Sequence, residues 1–388
     1  MNVKNFNRWA CAALLLYCAG VILSLSLRLD YLQWDFSVYY HAPQAYAQGL
    51  DPYRMIVPSA VEGSATPRGF KFYYPPFMLL LFAPFSRLSY ATAARLFFAM
   101  NGAALAALIL IWRNGFLGGK AGALFYLFCM VSFSSPLYIA LKAGNVAIME
   151  QYALWLAFYF FLGRRYLAFC LCVFVAAAFK GTPLLFLALL FFEEDGRRYR
   201  YLAGAAGVLC GGAAGMYAIA PDLGAQFLHN SLEIIDKVHQ PSTYAMLREL
   251  LPPAGQRLAY AALVAAVLAC TVRAGMILRA GAPVGKSRNM LFLACAAYAV
   301  ILPHFEDYSY IILIVPAYAL LCDTEPGSRW LPACCFLILS SVGGSLPIIM
   351  PGIKFALKYS PLMLAYCIWG IFVCRALLYR GDRAGLSD

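Results

Sequence analysis

The chain has 388 residues, of which 63% are hydrophobic and only 12% charged, and its mean hydropathy is +0.71. Soluble domains carry about 25% charged residues, so this chain cannot cover a water-facing surface, and a soluble globular fold is excluded. The net charge of +12 does not require nucleic acid, because polytopic membrane proteins gather Lys and Arg in their cytoplasmic loops.

A membrane helix needs about 20 apolar residues, fewer where it is packed inside a bundle. Apolar windows and their breakers predict helices near 9–27, 91–112, 121–141, 146–162, 166–179, 181–192, 200–219, 257–278, 289–303, 308–322, 330–350 and 360–379. The expected architecture is thus an all-α polytopic membrane protein of about twelve helices, a single domain over 1–388. The first run is followed by Arg28 and Asp30 without a clear small-residue cleavage site, which predicts a retained helix. The thirteen cysteines all fall within or at the ends of apolar runs, so neither a disulfide framework nor a zinc spacing is expected.

The run from Tyr166 to Phe192 is interrupted by "KGTP" at Lys180 to Pro183. Arg164 and Arg165 precede it, and Arg197, Arg198 and Arg200 follow it. With both clusters cytoplasmic, the run must cross an even number of times, as a hairpin with Lys180 at its outer tip. Both termini are then cytoplasmic, and the loops 28–90 and 220–256 lie outside. "FYYPPFMLLLFAPFSRL" (Phe72 to Leu88) is broken by three prolines; it reads as an interfacial helix with its aromatic residues in the headgroup layer.

Polar chemistry gathers on that outer side. Asp35, among Trp34, Phe36, Tyr39 and Tyr40, is placed to act as a general base on a sugar hydroxyl; the plainer alternative is an N-cap for a helix beginning at Phe36. Lys180 costs about 2.5–3.5 kcal/mol when placed at a membrane helix centre and is a functional candidate on that ground. Beside a helix start it would bind an anion; otherwise it is a snorkelling loop lysine. "PHFEDYSY" brings together His304, Glu306 and Asp307, which suits sugar contact better than metal ligation, for which one short cluster supplies too few groups. In "KAGNVAIMEQ", Asn145 suits a cap, while Glu150 and Gln151 would face the protein interior. Arg68 and Lys71 add positive charge near the Pro-Pro step, and a solvated loop face is their plain reading.

These segments carry a resemblance. "DFSVYYHAPQAYAQGLDPY", "FKFYYPPFMLLLFAPFSRL", "KAGNVAIMEQYAL", "FKGTPLLFLAL" and "LPHFEDYSYIIL" occur in the order seen in a family similar to the bacterial polyprenol-phosphate-mannose-dependent mannosyltransferases of the GT-C fold class, over about residues 30 to 320. The resemblance implies a GT-C-like bundle that takes a hexose from a polyprenyl-phosphate donor and passes it, usually with inversion, to a glycan or glycolipid acceptor at the outer face of the cytoplasmic membrane. It implies Asp35 as the catalytic aspartate, and Lys180 as the lysine of a Lys-Pro-Thr-Pro-like segment in which this chain has Gly181 for the first proline. His304 matches a histidine near an outer helix end.

The physical logic agrees. A polyprenyl phosphate has its tail in lipid and its phosphate at the headgroup layer, so a cation is needed at that depth, a base near the acceptor, and aromatic rings for the sugar. Lys180, with Arg68 and Lys71, is expected at the donor phosphate. Tyr39, Tyr40, Tyr74, Asn145, Gln151, His304, Glu306 and Asp307 are expected at the substrates. No cofactor and no metal is expected. The competing class is a transporter or lipid flippase, for which broken helices and intramembrane lysines are also typical, although the sequence lacks an internal repeat.

Overall fold

A computed structural model describes residues 3–29, 33–59, 68–118, 121–193, 196–237, 241–280, 286–323 and 351–384, together with Phe336. The expected window 330–350 lies outside the described residues apart from Phe336.

Helix α1 (Val3–Ser26) is followed by α2 (Trp34–Ala47), the antiparallel strands β1 (Ile56–Ser59) and β2 (Arg68–Lys71), and the short helix α3 (Phe77–Phe82). Next come α4 (Tyr90–Ile111), α5 (Ala123–Val131), α6 (Pro136–Ala143), α7 (Ala147–Leu162) and α8 (Tyr166–Phe179). A 3-10 stretch, Thr182–Phe192, turns back against α8. The remainder comprises α9 (Arg198–Ile219), α10 (Pro221–Lys237), α11 (Thr243–Leu250), α12 (Pro253–Ala280), α13 (Lys286–Ile301), a 3-10 stretch Asp307–Leu313, α14 (Ile314–Cys322) and the helices Pro351–Lys358 and Ser360–Ala384.

Within the described residues, the apolar windows became helices close to where composition put them. Among the described residues, four helices are long and apolar enough to cross a membrane: Tyr90–Phe116, Arg198–Ala218, Pro253–Ala280 and Ser360–Leu378. A fifth is obtained if α5 and α6, bent by 69° at their break, count as one span. Phe133, Ser134 and Ser135 stand at positive φ there, a left-handed path that costs energy for residues with a Cβ and redirects the chain sharply. The other apolar helices are shorter, from 10 to 17 residues.

The bundle is all-helical, as composition predicts, with one small addition. The first long loop contains a two-stranded hairpin as well as helices, with Ile56 opposite Lys71 and Ser59 opposite Arg68. The sequence signal was weak because each strand has four residues and Pro58 cannot donate to a ladder.

Two apolar clusters organise the molecule. The larger fills the helical bundle, from Trp112 and Trp155 through Phe305 and Tyr310 to the C-terminal helix. The smaller packs α2, the hairpin, α3 and the first turns of α4 around Phe36, Tyr39, Phe72, Phe82 and Phe97. Phe36 stacks on Phe97 with centroids 4.7 Å apart, and Tyr39 lies 4.9 Å from Phe82; such aromatic pairs add about 0.5–1.5 kcal/mol each beyond the area they bury. Val146 and Phe179 also belong to this smaller cluster. They are the sequence neighbours of Asn145 and Lys180, so the candidate polar residues lie along the seam between the two clusters.

Candidate active site

The position of Asp35 is set two residues earlier. Gln33 adopts a left-handed conformation, φ 67°, and is fully buried. Its backbone N–H donates to Lys142 O at 2.9 Å and its Nε2 donates to Leu141 O at 2.8 Å. Two carbonyls in the last turn of α6, Lys142 O and Leu141 O (the latter also accepting from the Gly144 N–H at 3.3 Å), are thus engaged by the residue that starts α2. Gly144 ends α6 at φ 64°, and a side chain there would collide with Gln33 Oε1 and come within 2.9 Å of Phe36 Cβ. Glycine is required both by the left-handed turn and by the close approach.

This joint brings Asp35 to Asn145. Asn145 is fully buried; its Nδ2 donates to Asp35 Oδ2 at 2.7 Å and more weakly to Tyr74 Oη at 3.5 Å, while its Oδ1 accepts from the Ala147 N–H at 2.8 Å. Asn145 therefore closes a turn onto the first residue of α7, whose N-cap is the next residue, Val146, and also holds the aspartate. Asp35 does not cap α2: the helix begins at Trp34, Gln33 is its N-cap, and the carboxylate sits in the first turn, where the positive end of the helix dipole favours it. Burial nevertheless pushes the Asp35 carboxyl up to about 7, with Glu306 adding to the rise and Asn145 and Lys180 opposing it.

The tyrosines form a wall beside this pair. Tyr39 Oη donates to Tyr74 Oη at 2.6 Å, and the two rings meet edge to face at 4.8 Å. Tyr53 Oη donates to Tyr74 O at 2.8 Å, and Tyr53 is itself fixed by a turn in which its N–H donates to Asp51 Oδ1. The Gly-x-Asp-Pro-Tyr segment thus positions Tyr74, a role that sequence reading had not given it.

The other half of the site comes from the tip of the α8 hairpin and the segment before the second 3-10 stretch. Lys180 Nζ donates to Glu306 Oε2 at 2.8 Å and lies 4.7 Å from the centre of the Tyr308 ring. His304 Nε2 is 3.3 Å from Glu306 Oε1. Burial alone would pull Lys180 down, but Glu306, Glu150 and Asp35 outweigh it and hold the ammonium above its ordinary value. Burial would raise Glu306, yet Lys180 and His304 hold it well below the usual carboxylate range. Glu150 and Gln151 are buried on α7, and Gln151 Oε1 has no hydrogen-bond partner among the described residues.

Other expected residues are placed differently. Tyr40 Oη donates to Leu88 O at 2.7 Å, inside the aromatic cluster. Lys71 Nζ lies 3.8 Å from Glu233 Oε2, joining the hairpin to α10, a link reinforced by Asn230 Nδ2 donating to Tyr53 O at 3.1 Å. Arg68 begins β2 opposite Ser59. Asp307 is the first residue of the second 3-10 stretch, whose N-cap is Glu306, with no side-chain capping bond among the described residues. Tyr308 and Gln33 were missed; Tyr308 sits in a quoted motif, but only the fold shows a cation over its ring.

The seam thus combines a carboxylate with raised proton affinity, a paired ammonium and a tyrosine wall. A family model described as glycosyltransferase family 87 matches residues 72–303, a stretch that includes Tyr74, Asn145, Glu150 and Lys180. No curated protein and no solved structure matches the chain.

Proposed function

The chain belongs to glycosyltransferase family 87, and from that premise we propose that it moves a hexose, mannose-like, from a polyprenyl-phosphate donor to a glycan or glycolipid acceptor at the outer face of the cytoplasmic membrane. As a membrane glycosyltransferase it needs a sugar donor, an acceptor and surrounding lipid. The finer reading has about twelve spans in one domain, the shorter apolar helices crossing as interior members of the bundle, with 28–90 and 220–256 outside.

One observation supports this mechanism above the others: Asp35, held by Asn145 at 2.7 Å, shares a half-buried cluster with the Lys180–Glu306–His304 group. Asp35 takes the proton from the acceptor hydroxyl as that oxygen attacks the anomeric carbon from the face opposite the phosphate, giving inversion. The bond to the phosphate oxygen breaks, and polyprenyl phosphate leaves as a stable anion. Electrostatic stabilisation by Lys180 replaces an acid catalyst. Tyr39 and Tyr74 line the sugar position, with Gln151 and His304 as further polar contacts. A carboxyl that ionises near pH 7 suits a general base at neutral pH.

The test is to incubate purified protein in lipid nanodiscs with radiolabelled polyprenyl-phosphate mannose and a membrane lipid extract. Transfer of label to an extractable acceptor is the expected result. Movement of the donor across proteoliposomes without chemical turnover would favour the flippase reading.

A further inference from the structure

We propose that Asn145 is a positioning residue for the base, rather than a substrate contact: its amide is locked in one orientation and leaves a single oxygen of Asp35 free for the acceptor. The inference rests on the reading of Asp35 as general base and adds a residue to it.

The lock follows from donor and acceptor chemistry. A primary amide can rotate by half a turn and exchange its oxygen for its nitrogen, and only its partners prevent this. Here Oδ1 accepts from the Ala147 N–H at 2.8 Å, a contact that an NH2 group cannot make. Nδ2 must then face Asp35 Oδ2, at 2.7 Å. The peptide N–H belongs to the first turn of α7, so the amide orientation is fixed by a helix start. A hydrogen bond of this kind stabilises the ionised carboxylate and disappears as an asset once that oxygen is protonated. The proton accepted in the reaction therefore goes to Oδ1, the oxygen that Asn145 does not occupy. Gln33 and Gly144 hold α2 against the end of α6 so that this pair meets.

The other groups that act on Asp35 do not replace Asn145. Lys180 favours its ionised form, but its ammonium is engaged by Glu306. Glu306 opposes ionisation. Among the described residues, Tyr39, Tyr74 and Tyr308 also couple to it.

Asn145→Ser separates the two jobs. Serine retains an oxygen able to accept from the N–H two residues on, so the start of α7 is preserved, while the donor to Asp35 is lost. Asn145→Asp also keeps that acceptor oxygen but places a second carboxylate against Asp35. Transfer from radiolabelled polyprenyl-phosphate mannose is measured between pH 5 and 9, with thermal unfolding as the check on folding. The acid limb of kcat/KM is expected to move upward by about one pH unit in Asn145→Ser, as loss of one charge-assisted hydrogen bond implies, and further in Asn145→Asp. KM for the donor should stay within about twofold. An unmoved limb, or a loss confined to KM for the acceptor, overturns the proposal and leaves Asn145 as a turn residue or a substrate contact. Infrared titration of the carboxyl band that disappears in Asp35→Asn reads the same coupling without turnover. If Asp35→Asn remains active, the base reading fails on its own, whereas an unshifted band in Asn145→Ser refutes the positioning role itself.

Discussion

Lys180 Nζ and Glu306 Oε2 are 2.8 Å apart at the seam of the two apolar clusters. The cation proposed for the donor phosphate is therefore already paired, and Glu306 is also touched by His304 on its other oxygen. Donor binding has to take Lys180 over from Glu306. The pair keeps a half-buried ammonium from standing alone, a situation that is costly, until an anion arrives.

Lys180→Ala is accordingly expected to weaken donor binding by more than tenfold, and Lys180→Arg by less, since charge is kept while geometry changes. It should also destabilise the protein, because removing one partner strands the other. The double variant Lys180→Ala/Glu306→Gln resolves the two effects: thermal stability should recover while donor affinity, measured with polyprenyl phosphate in nanodiscs, does not. Wild-type affinity in the double variant would remove Lys180 from the phosphate site.

The Gln33–Gly144 joint gives a second expectation. Gly144→Ala introduces a Cβ that collides with Gln33 Oε1 at a left-handed position. Turnover should fall by at least about tenfold, because small displacements of a base are costly, and thermal stability should drop as well. Gln33→Ala in the same background removes the contact with Oε1 but not the approach to Phe36 Cβ or the left-handed strain, so stability should recover only in part, and turnover should not recover because the clamp on α6 is lost. Full activity in Gly144→Ala would show that α2 reaches the site without this joint.

Much of this was legible beforehand, and the limits have physical reasons. Helix windows such as 146–162 and 166–179 fell within a residue of α7 and α8, because long apolar runs bounded by arginines or polar breaks signal themselves. Asp35, Asn145, Lys180 and Glu306 stood out as polar groups where lipid-facing sequence is expected. Their pairing was not legible: Asp35 and Asn145 are 110 residues apart in sequence, and Lys180 and Glu306 are 126 apart. The roles of Gln33, Tyr53 and Tyr308 depend on backbone turns and ring positions, which composition does not encode. The β1–β2 hairpin escaped because four-residue strands containing a proline give almost no periodicity.

Topology supplies a third prediction. Arg54, whose side chain is 83% exposed in the first long loop, should lie outside the membrane, and Gly196, between two helices and flanked by acidic and basic residues, should lie on the cytoplasmic side. Single cysteines at these positions in a cysteine-free background are treated on intact cells with an impermeant thiol reagent. Labelling of Arg54→Cys with protection of Gly196→Cys is expected. The opposite pattern would invert the threading and put the seam on the cytoplasmic face.

The last prediction concerns Asp35 itself, since two measurements on one variant bear on the mechanism. As general base, Asp35 must be ionised to accept the acceptor's proton, and burial pushes its carboxyl up to about 7. Wild-type kcat/KM should therefore fall as pH drops through about 7. Asp35→Asn, which keeps size and an acceptor oxygen for Asn145 but cannot take up that proton, should bind donor normally and lose about 100-fold or more in turnover. Stability should change in the opposite sense. A carboxyl whose pKa is raised on folding favours the native state at acid pH, and this contribution is lost as pH rises from the ordinary carboxylate range through about 7. Above pH 7 the wild type therefore holds a buried carboxylate at a cost that the asparagine variant does not bear. The variant should melt higher than wild type at pH 8, and the gap should close as pH falls toward 4. A functional group kept at the expense of stability would leave this signature. An Asp35→Asn variant with near-wild-type turnover, or one that melts lower than wild type at pH 8, would mean that the carboxylate serves the fold rather than the reaction.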